Sequence, residues 1–194
     1  MKHHQITAAI VLAAALGTSA AYAATLVPGL TYTGISGFSG TTTTAIGAAS
    51  DEHAVSFLSA GERFNHPCEL GVYKANIDGS NDSIYDEWDS CTTTSPNETI
   101  GWTTGSGIYV RGIAACTNNS ANHRVKGIQI FGASIAANGT VTPLGVDDWF
   151  SRANCATWHA PVFCPAGQIA TKVRVHRTGD EINGLSLACR DVAP

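Results

Sequence analysis

Charge is what this sequence has least of. Asp, Glu, Lys and Arg make up 13% of its 194 residues, against roughly 25% in an ordinary soluble domain. Hydrophobic residues stand at 44%. That balance excludes a disordered chain, which combines high net charge with few apolar residues. It also excludes a coiled coil or bundle built on Glu, Lys and Leu. The formal net charge of −4, with no basic cluster, argues against a nucleic-acid binder. Other absences narrow the field further. No long amphipathic helix is visible after the N-terminus, and no segment there approaches the ~20 apolar residues of a membrane span. No Gly-x-Ser-x-Gly elbow, phosphate-binding glycine loop or Cys-x-x-Cys pair occurs. Cys155-x3-His159-x4-Cys164 has zinc-like spacing, but three disulfides account for every cysteine.

What is present begins with an export signal. Lys2, His3 and His4 precede an apolar run from Ile6 to Leu16, and Ala21-Tyr22-Ala23 gives a small-residue cleavage site. This order is that of a secretory signal over residues 1–23. The expected product is a soluble secreted protein, extracellular or periplasmic and most simply bacterial. Export makes the six cysteines a disulfide framework. Residues 24–50 carry no charge and are rich in Gly, Thr and Ser, which reads as a flexible or extended arm; a Thr-rich edge strand is also compatible.

From about residue 51 the texture changes to short alternating segments between Gly, Asn, Asp and Pro turns. Strands are expected at 54–58, 72–77, 108–114, 125–131 and 169–176. In the last, Ile169, Thr171, Val173 and Val175 face one way and Ala170, Lys172, Arg174 and His176 the other. Three related units suggest themselves, at about 51–95, 99–141 and 149–192, within one domain over 51–194. Their return segments align Ile84–Cys91, Val125–Gly132 and Ile182–Cys189. In that register the middle unit lacks both cysteines of the last unit together, as a bonded pair would. This predicts Cys68–Cys91 and Cys164–Cys189, with Cys116–Cys155 by elimination.

The last unit carries a specific pattern: Cys164-Pro165-Ala166-Gly167, a Lys/Val-rich strand, Gly179-Asp180-Glu181, then Asn183-Gly184-Leu185 and a closing Cys189. It resembles the repeat of the vitelline membrane outer layer protein family. The match is weaker elsewhere: only Ile182 separates the acid pair from Asn183, and unit one has Tyr85-Asp86 where the family has Asn-Gly. The resemblance implies an all-β fold, a disulfide-bonded type I β-prism of three Greek-key sheets with pseudo-threefold symmetry, shared with jacalin-type lectins. It further implies secreted proteins of extracellular coats and the handling of N-acetylglucosamine oligosaccharides.

Candidate residues follow from chemistry. Sugars stack their C–H faces on aromatic rings and give their hydroxyls to acids and amides. Trp88 between Asp86 and Asp89 offers that combination, and Asp180 and Asn183 offer it in the last unit. Glu87 and Asp89, at i and i+2 on a strand, share a face and form a weak candidate acid and base for a glycan-active enzyme. The alternative is that Ile84 and Trp88 face inward and the acids face water. Asp78, Asn81 and Asp82 form a turn of oxygen ligands for calcium, although the stretch fails as an EF-hand loop; no other cofactor is expected. Five of the 15 acids lie between Asp78 and Asp89. The expected partners are glycans or extracellular coat components. Three readings result: a lectin-like module, a structural coat protein, and an enzyme.

Overall fold

A computed structural model describes residues 23–47, 53–63, 66–78, 83–91, 98–103 and 105–194. The export signal up to residue 22, together with Asn81 and Asp82 of the calcium expectation, lies outside the described residues. Four short strands come first: β1 (Thr25–Leu26), β2 (Thr31–Tyr32), β3 (Ser36–Gly37) and β4 (Thr42–Ile46). β5 (His53–Arg63), β6 (His66–Asn76), β7 (Ser83–Asp89) and β8 (Glu98–Gly101) follow. Then come β9 (Ile108–Thr117), β10 (Val125–Ile135), β11 (Val141–Ser151), β12 (Thr157–Trp158) and β13 (Val162–Phe163). β14 (Gln168–Thr178) and β15 (Glu181–Ala193) close the chain. Among the described residues there is no helix, and so none long and apolar enough to cross a membrane.

The strands form three antiparallel sheets. The first has the order β8-β5-β6-β7, and the second has β12-β9-β10-β11 with β13 also on β9. Each is a Greek key, with the fourth strand lying beside the first. The third sheet runs β4-β14-β15, with β1, β2 and β3 all on the far side of β15. It has the same order if β14 and β15 count as strands one and two, β1 to β3 as strand three and β4 as strand four. The third key is therefore split across the chain's two ends. Of the two readings of residues 24–50, an arm or a Thr-rich edge strand, the second describes Thr42–Ile46. Thr42–Ile46 forms a five-pair ladder with β14, and Ile46 is buried in the core.

The threefold relation is visible in the bulges. Each central hairpin carries two register shifts: near Val55 and Gly61 in β5–β6, near Val125 and Phe131 in β10–β9, and near Ala170 and His176 in β14–β15. A bulge bends a strand and increases its twist. Two per hairpin let strands of about eleven residues wrap a shared interior. That interior is one apolar cluster: Leu58, Leu70 and Val72 from the first sheet, Ile113, Ile128 and Ile130 from the second, and Val173, Leu185 and Leu187 from the third. The architecture is an all-β prism of three sheets.

The three disulfides are those expected, Cys68–Cys91 and Cys164–Cys189 from the register and Cys116–Cys155 by elimination. The register itself was misplaced. Cys68 lies on the second strand of its key, whereas Cys164 precedes the first strand of its own, so the two bridges are not equivalent. β7, aligned above with β15, is instead the counterpart of β11.

The true β7–β11 equivalence explains Asp86. Its carboxylate accepts the Gly47 N–H (2.8 Å) and the Glu87 N–H (3.0 Å). Asp148 on β11 accepts the Gly101 N–H (3.0 Å) and the Trp149 N–H (2.9 Å). Gly47 and Gly101 each end the fourth strand of the preceding key with positive φ, +98° and +134°, where a side chain would be strained. Each aspartate thus clamps one sheet to the next. Lys74, itself buried, donates to the Gly47 carbonyl at the first junction, and Arg152 reaches Glu62 (2.8 Å) and Glu98 at the second. Two residues after each aspartate comes a buried aromatic, Trp88 or Phe150.

Candidate functional site

The tips of the second and third central hairpins lie at the same end of the prism as the β3–β4 loop. There Phe38, Ser39, Asn122, His123, Thr178, Glu181 and Asn183 line an open cleft of about 450 Å³, inside the range of ligand sites. Two glycines bring its walls together. Gly37 pairs with Gly184. A Cβ on Gly37 would sit 2.6 Å from the Asn183 carbonyl oxygen, and one on Gly184 would sit 2.6 Å from that of Phe38. The Asn183-Gly184 pair therefore seats the loop, and Phe38 N–H donates to the Asn183 carbonyl (3.0 Å).

Phe38 stands at the lip, 36% exposed. Its ring stacks on the His123 imidazole (3.8 Å, 15°) and meets His159 edge-on (4.9 Å). His159 shares a hydrogen bond with the Thr117 hydroxyl (2.7 Å). The polar wall is cross-braced. Asn183 Nδ2 donates to the Asn122 carbonyl (2.7 Å), Asn122 Nδ2 donates to Glu181 (3.1 Å), and Arg124 pairs with Glu181. Asn183 Oδ1 is buried without a hydrogen-bond partner. The cleft thus presents one aromatic ring beside an amide, a paired carboxylate and the hydroxyls of Ser39 and Thr178.

Burial and the neighbouring His123 hold His159 below the ordinary imidazole range, and burial and Arg174 do the same to His176. Both stay neutral in the fold when the unfolded chain begins to protonate near pH 6.5. The unfolded state then binds more protons, so stability falls as pH drops below that value toward the folded ones. The melting temperature is expected to be lower at about pH 5.5 than at about pH 7.5, with a smaller drop in His159→Gln. An unchanged melting temperature contradicts this.

The sequence candidates separate into those at the cleft and those elsewhere. Asn183 lines the cleft, and Asp180 sits in the adjoining turn, exposed, with its carbonyl accepting from Ser90 Oγ (3.2 Å). Trp88 does not offer a binding face: it is 9% exposed, in the core, with Arg177 over its ring. A Trp88→Ala variant would report on folding. Asp86 is the sheet clamp described above. Asp89 caps the Cys91 N–H (2.7 Å). Glu87 and Asp89 face outward, as expected if Trp88 turns inward, and they face buried Glu69 from the neighbouring strand. Desolvation, then Glu87 and Asp89, raise the Glu69 pKa. This trio does not line the cleft. Glu69, Asp89 and Cys91 lie close enough to resemble a metal cluster, but Cys91 is committed to its disulfide. Asp78 is exposed, and its N–H points to Asn76 Oδ1 (3.4 Å).

Phe38, Asn122, His123 and Glu181 were not among the candidates. The one signal for Phe38 was a lone large aromatic within Gly37-Phe38-Ser39-Gly40, and for Asn122 and His123 there was none.

No family model matches the sequence, and no curated protein matches it. Solved structures do match, and they define a class of fold first: the β-prism. The Calsepa lectin in complex with a biantennary N-glycan is 17% identical, with a TM-score of 0.52, over 85% of this chain and 99% of that one. Calystegia sepium agglutinin is 16% identical, with a TM-score of 0.53, over 84% and 98%. A mannose-binding jacalin-related lectin from Ananas comosus, 12% identical with a TM-score of 0.47 over 82% and 96%, adds no weight. At such identities the likeness shows the fold.

Proposed function

We propose that this is a secreted, lectin-like glycan-binding protein and that the Phe38–Glu181 cleft is its binding site. The observation that carries the reading is the half-exposed Phe38 ring set beside Asn122, Glu181 and Thr178 in one open hollow. A pyranose has an apolar C–H face and a polar rim, and the cleft offers a partner to each. Glu181, fixed by Arg124 and Asn122, accepts charge-assisted hydrogen bonds from sugar hydroxyls. Its bracing lowers the entropic cost of binding. The lectin neighbours of the fold support the same reading. The export signal and three disulfides support an extracellular location.

A broad glycan array tests this, with N-glycans and N-acetylglucosamine oligosaccharides as its leading classes. The first class comes from a structural neighbour's ligand and the second from the resemblance of the last unit. Binding to at least one class is expected. Phe38→Ala and Glu181→Gln are each expected to weaken it about tenfold or more, as truncation of an aromatic or charged hot spot does. Equal binding by both variants would move the site elsewhere.

A further inference from the structure

We infer that the outer face of the second sheet is a separate binding surface for a neutral polysaccharide chain. Ile113 and Ala115 of β9 belong to the core, so Gly112, Ala114 and Cys116 take the opposite face. All three are buried. The Phe163 ring covers Gly112 and Cys116 is bonded to Cys155, so what this face offers water is the aromatic border along the central strand. Phe163 and Phe131 both pair with Gly112, their centroids 5.1 Å apart. Gln129 pairs with Ala114, Trp149 pairs with Gln129, and Trp158 pairs with Cys116. From the Gly112 row to the Cys116 row the border runs about 14 Å at the usual strand rise.

The rings are open to water: Trp149 is 58% exposed, Trp158 41% and Phe163 41%. Trp149, Trp158 and Gln129 line a hollow of about 160 Å³. Polar groups sit among them. The Gln129 amide donates to the Asp147 carboxylate, and the Arg111 guanidinium lies 5.5 Å over Phe163. The fold does not require an aromatic at the Trp149 position: on the first sheet Glu87 stands there, while the adjoining row of Phe57, Tyr73 and Tyr85 is aromatic on that sheet too. Contiguous exposed apolar surface of this kind marks an interaction site.

The occupant follows from the composition. The rings suit the C–H faces of successive sugars, and Gln129 and Asp147 suit their hydroxyls. One acid and one base on the face cancel, which favours a neutral chain over an acidic polysaccharide. The surface runs along the strands, and its Cys116 end adjoins His159, which supports Phe38. Trp149, on the far edge strand, and Phe38 are the positions that tell the two surfaces apart.

The test is retention on insoluble cellulose, chitin and mannan, with sedimentation velocity alongside. The wild-type protein is expected to be retained on at least one. Trp149→Ala is expected to lower its affinity about tenfold or more, while Phe38→Ala binds that polymer as the wild type does. Unchanged melting temperatures confirm that the variants fold. Retention on none of the three would overturn the proposal, as would wild-type retention by both Trp149→Ala and Trp158→Ala. A concentration-dependent dimer lost in Trp149→Ala, without retention, would instead make the face a self-association surface.

Discussion

A chain beginning at His53 is expected not to fold cooperatively. Composition alone suggests the opposite, since an uncharged Gly/Thr/Ser segment reads as dispensable. In the fold, that segment supplies the third and fourth strands of the third sheet. Its loss would bare the β14 edge opposite Thr42–Ile46, and an unpaired edge is a liability in itself. It would also remove Ile46 from the main core and Ala24 and Leu26 from the smaller apolar cluster at the far end. Deleting a buried aliphatic side chain costs about 2–5 kcal/mol, and a whole domain has only about 5–15 kcal/mol to lose. Two cross-sheet bonds would go as well: Ser36 Oγ accepting from Ala115 N–H (2.9 Å), and the Gly47 clamp. Circular dichroism should show no cooperative thermal transition in the truncated chain. A melting temperature within a few degrees of the full chain would restore the arm.

The second large effect concerns Cys116–Cys155. Its bridge spans 39 positions, the longest of the three. In the chain-entropy account such a loop contributes about 4 kcal/mol. For a domain of this size that corresponds to a fall of about 8–16 °C in melting temperature when both cysteines become alanine. The bridge has a local consequence too. Cys116 is buried on central strand β9, and Cys155 anchors the loop that leads through β12 to His159. His159 supports Phe38 edge-on, so the double variant should also bind glycans more weakly. A drop below 2 °C would show that the β12 and β13 pairings hold the loop without the bridge.

The strand over Ile169–His176 was legible from its alternation, but its two faces are not simply buried and wet: a bulge after Ala170 turns that residue into the core, and His176 is buried as well. Cysteine parity was legible because export leaves little alternative to disulfides. The third sheet was not, because its partners lie more than a hundred residues apart and its first four strands are short and polar. Nor was the true repeat. Asp86-Glu87-Trp88 and Asp148-Trp149-Phe150 do the same work at two sheet junctions, yet only the aspartate is identical. The cleft was half legible. Asn183 and the Asp180–Glu181 turn belong to one hairpin with a recognisable pattern. Phe38 reaches it from the β3–β4 loop through the Gly37–Gly184 approach, and Asn122 and His123 reach it from the β9–β10 tip, tied in by the Asn183–Asn122 hydrogen bond.

The central claim is that glycan binds at the hairpin tips. Backbone amide shifts, followed by nuclear magnetic resonance during titration with the strongest array ligand, test it most directly. The account predicts the largest shifts at Phe38, Asn122, His123 and Glu181, with Glu87 and Asp89 unmoved. Shifts confined to the Asp86–Asp89 strand, or no binding by any glycan on the array, would contradict it.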